Sequence, residues 1–261
     1  MFAAPRKRFG QHFLHDRGVV ERMLNAFDPR PEQTIVEIGP GRGALTLPLL
    51  ERVPVLHAVE LDRDIAARLP ELVAGRGQLI LHQADALRFD FAALVRAQPL
   101  RVIGNLPYNI STPLLFHLLE QSEAIADMLF MVQKEVADRM AAAPGGKDYG
   151  RLSVMLQWRC EVETLFDVGP GAFTPPPKVH SSIVRLRPHR GTERLPVDAD
   201  VLGRVVQAAF AQRRKTLRNG LRLLVDDAGF QIAGIDSGRR AETLTLEEFV
   251  RLANGVAKTG A

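Results

Sequence analysis

The stretch Thr34-Ile35-Val36-Glu37-Ile38 runs straight into Gly39-Pro40-Gly41-Arg42-Gly43, and a helical pattern from Ala44 to Arg52 follows. An apolar strand, a glycine turn and a helix in that order make the first unit of a parallel sheet. Parallel neighbours need a crossover, and the helix is that crossover. The chain then repeats the unit. Val55–Glu60, Leu79–Gln83, Arg101–Gly104 and Met128–Val132 read as further strands. Asp64 to Val73 and Pro113 to Gln121 read as helices, with Pro113 in a first turn, where a missing N–H costs nothing. Cys160–Val168 and Ser182–Leu186 read as two more strands, antiparallel to each other. The expected fold class is α/β, a doubly wound and mostly parallel sheet.

The pattern changes after Pro188. The polar, proline-bounded stretch to Pro196 reads as a linker, placed at 189–196. It separates an α/β domain, 1–188, from a small all-α domain, 197–261. Helices are expected at Asp198–Gln212, Arg214–Asp226 and Leu246–Ala257, the last capped by Thr245 with Glu248 closing a capping box. The net charge is +4, and its distribution says more than its size. From Arg204 to Arg222 there are six basic residues and no acidic one, and Arg6-Lys7-Arg8 forms a second basic run. Both suit contact with phosphates. No apolar run approaches the ~20 residues of a membrane span. The N-terminus lacks the apolar core of a secretory signal, and the single cysteine, Cys160, fits a reducing, cytoplasmic setting. Cys160, Tyr149 and Trp158 read as packing residues, and Lys178 as a candidate phosphate contact. The seven histidines show no metal-ligand spacing, so no metal is expected.

The glycine turn is Gly-x-Gly-x-Gly, and Pro40 removes one N–H that a pyrophosphate would use. Gly39 and Gly41 let backbone approach a ligand closely. Glu60 ends the second strand 21 residues after Gly39, where an acid accepts both hydroxyls of a ribose. Asp85, after the third strand, is placed to accept from an adenine amine, with the Ala86 backbone donating. Asp62 and Asp64 read as helix-start residues. A nucleoside cofactor without a pyrophosphate fits, and S-adenosylmethionine is the expected one.

At the end of the fourth strand stands Asn105-Leu106-Pro107-Tyr108. Open α/β sheets bind ligands at such strand ends. The Asn105 side-chain oxygen and the Leu106 carbonyl can accept from an exocyclic amine, Pro107 stiffens the turn, and Tyr108 can stack on a base. The set suits chemistry on the amino group of a flipped nucleobase.

With Arg8-Phe9-Gly10-Gln11-His12-Phe13-Leu14, Glu37–Gly41, Glu60-Leu61-Asp62, Asn105–Ser111, Gln133–Ala137 and Phe173–Ser181 occurring in order, the chain resembles the small-subunit ribosomal RNA adenine dimethyltransferases over its whole length. The resemblance implies a Rossmann-like class I methyltransferase fold with a mostly parallel seven-stranded sheet. It implies S-adenosylmethionine-dependent dimethylation at N6 of two adjacent adenines near the 3′ end of 16S rRNA, within the small (30S) subunit or its precursor. It places His12, Leu14 and Leu61 at the cofactor beside Gly39, Gly41, Glu60, Asp85, Ala86 and Asn105. It also places Phe173 on the face of the base opposite Tyr108. Many relatives carry asparagine where this chain has His12. The expected protein works as a monomer away from membranes. Two other readings stand beside this one: a large-subunit rRNA methylase of the erythromycin-resistance type, and a non-catalytic RNA-binding assembly factor.

Overall fold

The computed structural model describes residues 11–259, so the Arg6-Lys7-Arg8 run lies outside the described residues. Packing divides the chain into two compact units. One is the chain through Ala137 together with Val162–Pro188; the other is Asp138–Glu161 together with His189 onward. Residues 138–161, which the sequence reading put in the α/β domain, thus pack with the helical part.

The first unit holds the sheet. Its strands are β1 (Phe13–Leu14), β2 (Ile35–Ile38), β3 (Val55–Glu60), β4 (Gln78–Gln83), β5 (Leu100–Asn105), β6 (Ile125–Gln133), β7 (Cys160–Val168), β8 (Phe173–Thr174) and β9 (Ser181–Pro188). Seven of them form one sheet in the order β4-β3-β2-β5-β6-β9-β7, and β1 and β8 pair separately. β4, β3, β2, β5 and β6 are parallel; β9 runs antiparallel to β6. After β4 the chain crosses back to lay β5 on the other flank of β2, so the strand order reverses between β2 and β5. That reversal opens a crevice at the carboxyl ends of these two strands. Gly104 lets the strands close up there. A Cβ on it would sit 2.6 Å from the Ile38 carbonyl oxygen.

Helices α1 (Arg17–Phe27), α2 (Thr46–Leu50), α3 (Arg63–Ala66), α4 (Leu69–Leu72) and α5 (Ser111–Glu120) belong to this unit. The helix expected over Asp64–Val73 is two short ones. Pro70, in the first turn of α4, has no N–H to offer the Ala66 carbonyl, so α3 cannot run through it. The core gathers Met23, Leu24 and Phe27 of α1 against Ile35, Leu49 and Leu56. Each fully buried side chain of this size contributes roughly 1.5–3 kcal/mol. Arg101 of β5 ties the layers together. It grips Asp127 of β6 through two bonds of 2.6 and 2.7 Å, and donates to the Phe27 and Asp28 carbonyls at the end of α1. A cation there also meets the negative end of the helix dipole.

The second unit contains α7 (Arg151–Arg159), α8 (Ala199–Ala211), α9 (Leu217–Gly220), α10 (Asp227–Ala233) and α11 (Leu246–Thr259), while α6 (Lys134–Ala141) leads into it. Val154, Trp158, Leu202, Val206, Phe249 and Leu252 form its core. The Trp158 indole donates to the Leu195 carbonyl at 2.9 Å, a packing role. The predicted capping box is present: Thr245 N–H donates to Glu248 at 2.9 Å and Glu248 N–H to Thr245 Oγ1 at 3.3 Å. The helix expected over Arg214–Asp226 shrinks to α9. The Leu217 and Arg218 N–H groups donate to the Arg239 and Ser237 carbonyls instead of starting a longer helix. Among the described residues, no helix is long and apolar enough to cross a membrane.

Candidate active site

A cavity of about 260 Å³ opens at the carboxyl ends of β2, β3 and β5. This is near the lower end of the roughly 300–1,000 Å³ usual for small-molecule sites. Its floor is the turn after β2. Gly39 and Gly41 sit at φ +66° and +54°, a region that side chains rarely adopt, so glycine is required for the backbone to curl there.

Glu60 ends β3 and is 8% exposed. Its carboxylate accepts from the Asp62 N–H at 2.8 Å and the Gly41 N–H at 3.4 Å, which fixes it against the turn. Burial pushes its pKa above the usual carboxylate range, and these backbone donors pull the other way. Asp62 caps α3 through the Asp64 N–H at 3.0 Å, as the sequence indicated, and also receives Gln11 at 3.2 Å. Leu61, 49% exposed, offers an apolar surface at the cavity. Asp85 accepts from the Leu87 N–H at 3.0 Å, and this turn sets Asp85 and Ala86 into the cavity wall.

Asn105 is held from the opposite side. Its Nδ2 donates to the His12 carbonyl at 3.1 Å. A carbonyl only accepts, so the NH₂ end must face His12, and Oδ1 is left as the acceptor. The following turn is fixed by Ile110 N–H to the Pro107 carbonyl at 3.2 Å and Ser111 Oγ to the Tyr108 carbonyl at 3.2 Å. Tyr108 is half-buried; its hydroxyl lies 2.7 Å from Ser181 Oγ, and its ring stacks on that of His12 with centroids 5.3 Å apart. His12 Nδ1 lies 2.8 Å from the Pro175 carbonyl, so this nitrogen carries the proton.

The structure brings His12, Leu14, Gly39, Gly41, Glu60, Leu61, Asp85, Ala86 and Asn105–Tyr108 together around the one cavity. Phe173 is the exception. Its backbone pairs with Leu14, and its ring is 2% exposed within the hydrophobic core. In this structure it is no wall of the cavity. Sequence reasoning also passed over Phe13 and Glu37, which both line it. The Phe13 ring carries the Arg42 guanidinium 4.3 Å from its centroid. Glu37 sits in an otherwise apolar strand and is 1% exposed. Thr46 Oγ1 donates to it at 2.7 Å. Burial pushes its pKa up to about 8, the Thr46 bond opposes this, and neighbouring Glu60 adds to it. A charged residue inside a four-residue buried strand was the readable signal, because such residues are almost never buried without a reason.

This donor set fits a nucleoside with a free ribose: a buried acid beside a bare glycine turn, an aspartate at the next strand end, and apolar cover from Leu61. S-adenosylmethionine has those parts. Comparison with known proteins bears on the rest. Residues 3–258 match the model of a family described as ribosomal RNA adenine dimethylase. The chain belongs to this family. A ribosomal RNA small subunit methyltransferase A from Nitrosococcus oceani is 58% identical over 248 residues, covering 95% of this chain and 94% of that one. A dimethyladenosine transferase from Plasmodium falciparum has a solved structure similar at TM-score 0.82, with 25% identity and coverage of 95% and 98%. A 23S rRNA methyltransferase, ErmE, is similar at TM-score 0.69 with 27% identity, covering 94% of this chain and 99% of that one. As a ribosomal RNA adenine dimethylase, the chain is a methyltransferase whose methyl donor is S-adenosylmethionine.

Proposed function

We propose that this dimethylase acts on the small subunit, transferring two methyl groups to N6 of each of two adjacent adenosines near the 3′ end of 16S rRNA. The 58% identity to a small-subunit enzyme, against 27% to a 23S enzyme, supports that choice of RNA. The observation that carries the chemistry is the fixed amide of Asn105 beside Tyr108 at the cavity.

The lone pair of an adenine amine is delocalised into the ring, so the amine is a poor nucleophile. Oδ1 of Asn105 and the Leu106 carbonyl accept its hydrogens and favour a more tetrahedral nitrogen. Pro107 holds the two acceptors in one turn, and Tyr108 stacks on the base after it leaves its helix. Gly39, Gly41, Glu60, Asp85, Ala86 and Leu61 hold the cofactor, with His12 and Leu14 closing the near side. When bound, S-adenosylmethionine supplies a methyl on a positively charged sulfur. The nitrogen lone pair would take that methyl, the electrons of its former bond staying on sulfur, and the surplus N–H proton would leave to water. That proton is acidic once the nitrogen is alkylated, so no strong base is needed at Asn105.

The basic surface of the second unit holds RNA phosphates, and the protein works as a cytoplasmic monomer on the 30S subunit or its precursor. The test is transfer of labelled methyl from cofactor to unmethylated small and large subunits, with the modified positions mapped by mass spectrometry. Label on two neighbouring 16S adenines is expected. Label on 23S rRNA would establish the erythromycin-resistance type, and no label with intact RNA binding would establish a non-catalytic factor.

A further inference from the structure

Stacking on a base uses the face of Tyr108 and has no need of its hydroxyl. Yet that hydroxyl is committed, at 2.7 Å from Ser181 Oγ. Ser181 is 0% exposed and opens β9, where it pairs with Gln133 at the end of β6. Asn105 pairs with Met131 on the same strand, β6. The amine acceptor and the anchor of the tyrosine therefore hang from one rigid strand. The start of β9 is itself pinned. Ser182 donates to Asp167 at 2.6 Å, Asp167 also takes Lys134 at 3.2 Å, and the Lys134 N–H donates to the His180 carbonyl at 2.9 Å.

A tyrosine ring swings through space about its first torsion, and a bond at its tip stops that swing. The Ser111 bond fixes only the backbone of Tyr108, and the His12 ring touches one face. The bond to Ser181 is the one that holds the tip, and so the axis along which the ring lies, while stacking on His12 bears on its plane. We propose that Ser181 is a positioning residue for methyl transfer, its hydroxyl anchoring the tip of Tyr108 and so the place of the ring on which the adenine stacks. The Phe173–Ser181 segment then acts on the base site through its last residue. This rests on the stacking role of Tyr108 stated above.

The chain has two tyrosines, Tyr108 and Tyr149, and Tyr149 is buried in the other unit. Tyrosine-labelled NMR of the full chain therefore gives two sets of ring signals, which Y108F assigns. In S181A the Tyr108 signals should move and broaden while those of Tyr149 stay. Cofactor affinity by calorimetry should be unchanged. Turnover on small subunits should fall about tenfold in S181A and in Y108F, and the double variant should be no worse than the poorer single, as for two halves of one interaction. Y108F reads the same bond from its other end if S181A does not fold. Unmoved Tyr108 signals, losses that multiply in the double variant, or a parallel loss of cofactor affinity would overturn the assignment. Y108A separates the two ideas. Wild-type transfer by Y108A removes the stacking role itself, whereas lost transfer in Y108A with normal S181A removes only Ser181.

Discussion

A backbone carbonyl decides which way Asn105 faces. Because the His12 carbonyl takes the NH₂ group at 3.1 Å, the amide oxygen is ready before any base arrives. Replacing Asn105 with alanine should cut methyl transfer by about 10²–10³, the loss typical of removing one preorganised polar contact. RNA binding, measured by filter retention, should change by no more than about twofold, since phosphates carry most of that affinity. Glu37 gives a second prediction. Its folded pKa is about 8 against an ordinary 4.5, so the folded state holds the extra proton between those values. Stability from this group is fully present below about pH 4.5 and falls as pH rises toward 8. Glu37→Gln should flatten that decline, read from urea unfolding at pH 5.5 and pH 8. Residue types at strand ends made the place of Glu60, Asp85 and Asn105 around the cavity legible from sequence. The burial of the Phe173 ring was not legible, because a motif carries no burial, and pairing of its backbone with Leu14 sets that ring in the core.

Elements were legible where apolar runs met glycine or proline. β2, β3 and β5 have such boundaries, and the expected and observed strands there agree within a residue or two. What local pattern misses is competition for backbone partners. Pro70 splits one expected helix, and carbonyls from Ser237 and Arg239 capture N–H groups of another. The antiparallel pairing of β1 with β8 joins segments about 160 residues apart, beyond the reach of periodicity. Arg101 shows how an element is secured once formed. Its side chain is 14% exposed and that of Asp127 15%. Arg101→Ala should destabilise the protein by about 3 kcal/mol, since Asp127 would keep a largely buried charge without its partner. By contrast Arg30→Ala, which breaks an exposed pair with Asp28, should cost under about 0.5 kcal/mol in the same chemical-denaturation assay.

At the scale of the molecule, the basic run from Arg204 to Arg222 is not uniform. Arg213 is bound to Glu242 at 2.7 Å and Arg218 to Asp227 at 2.8 Å, while Arg214, Lys215 and Arg222 are exposed. Neutralising those last three should lower affinity for the subunit and reduce the slope of log affinity against log salt by about 2–3. An unchanged slope would make them an ordinary solvated surface. Packing divides the chain after Pro188, where the sequence pattern changes, but it also puts Asp138–Glu161 with the later unit through Val154 and Trp158, whose partners lie about 50–100 residues downstream and are invisible to local pattern. The bond between Asn105 and His12 spans 93 residues, and that between Gly41 and Glu60 ties one strand end to the next. No local fragment can assemble such a cavity, so a ligand that fills it binds the native chain and ignores the unfolded one. Occupancy and folding are then linked by mass action: a nucleoside at a hundred times its Kd should add about 2.7 kcal/mol to unfolding. The pocket thereby doubles as a gauge of whether the sheet around it is intact.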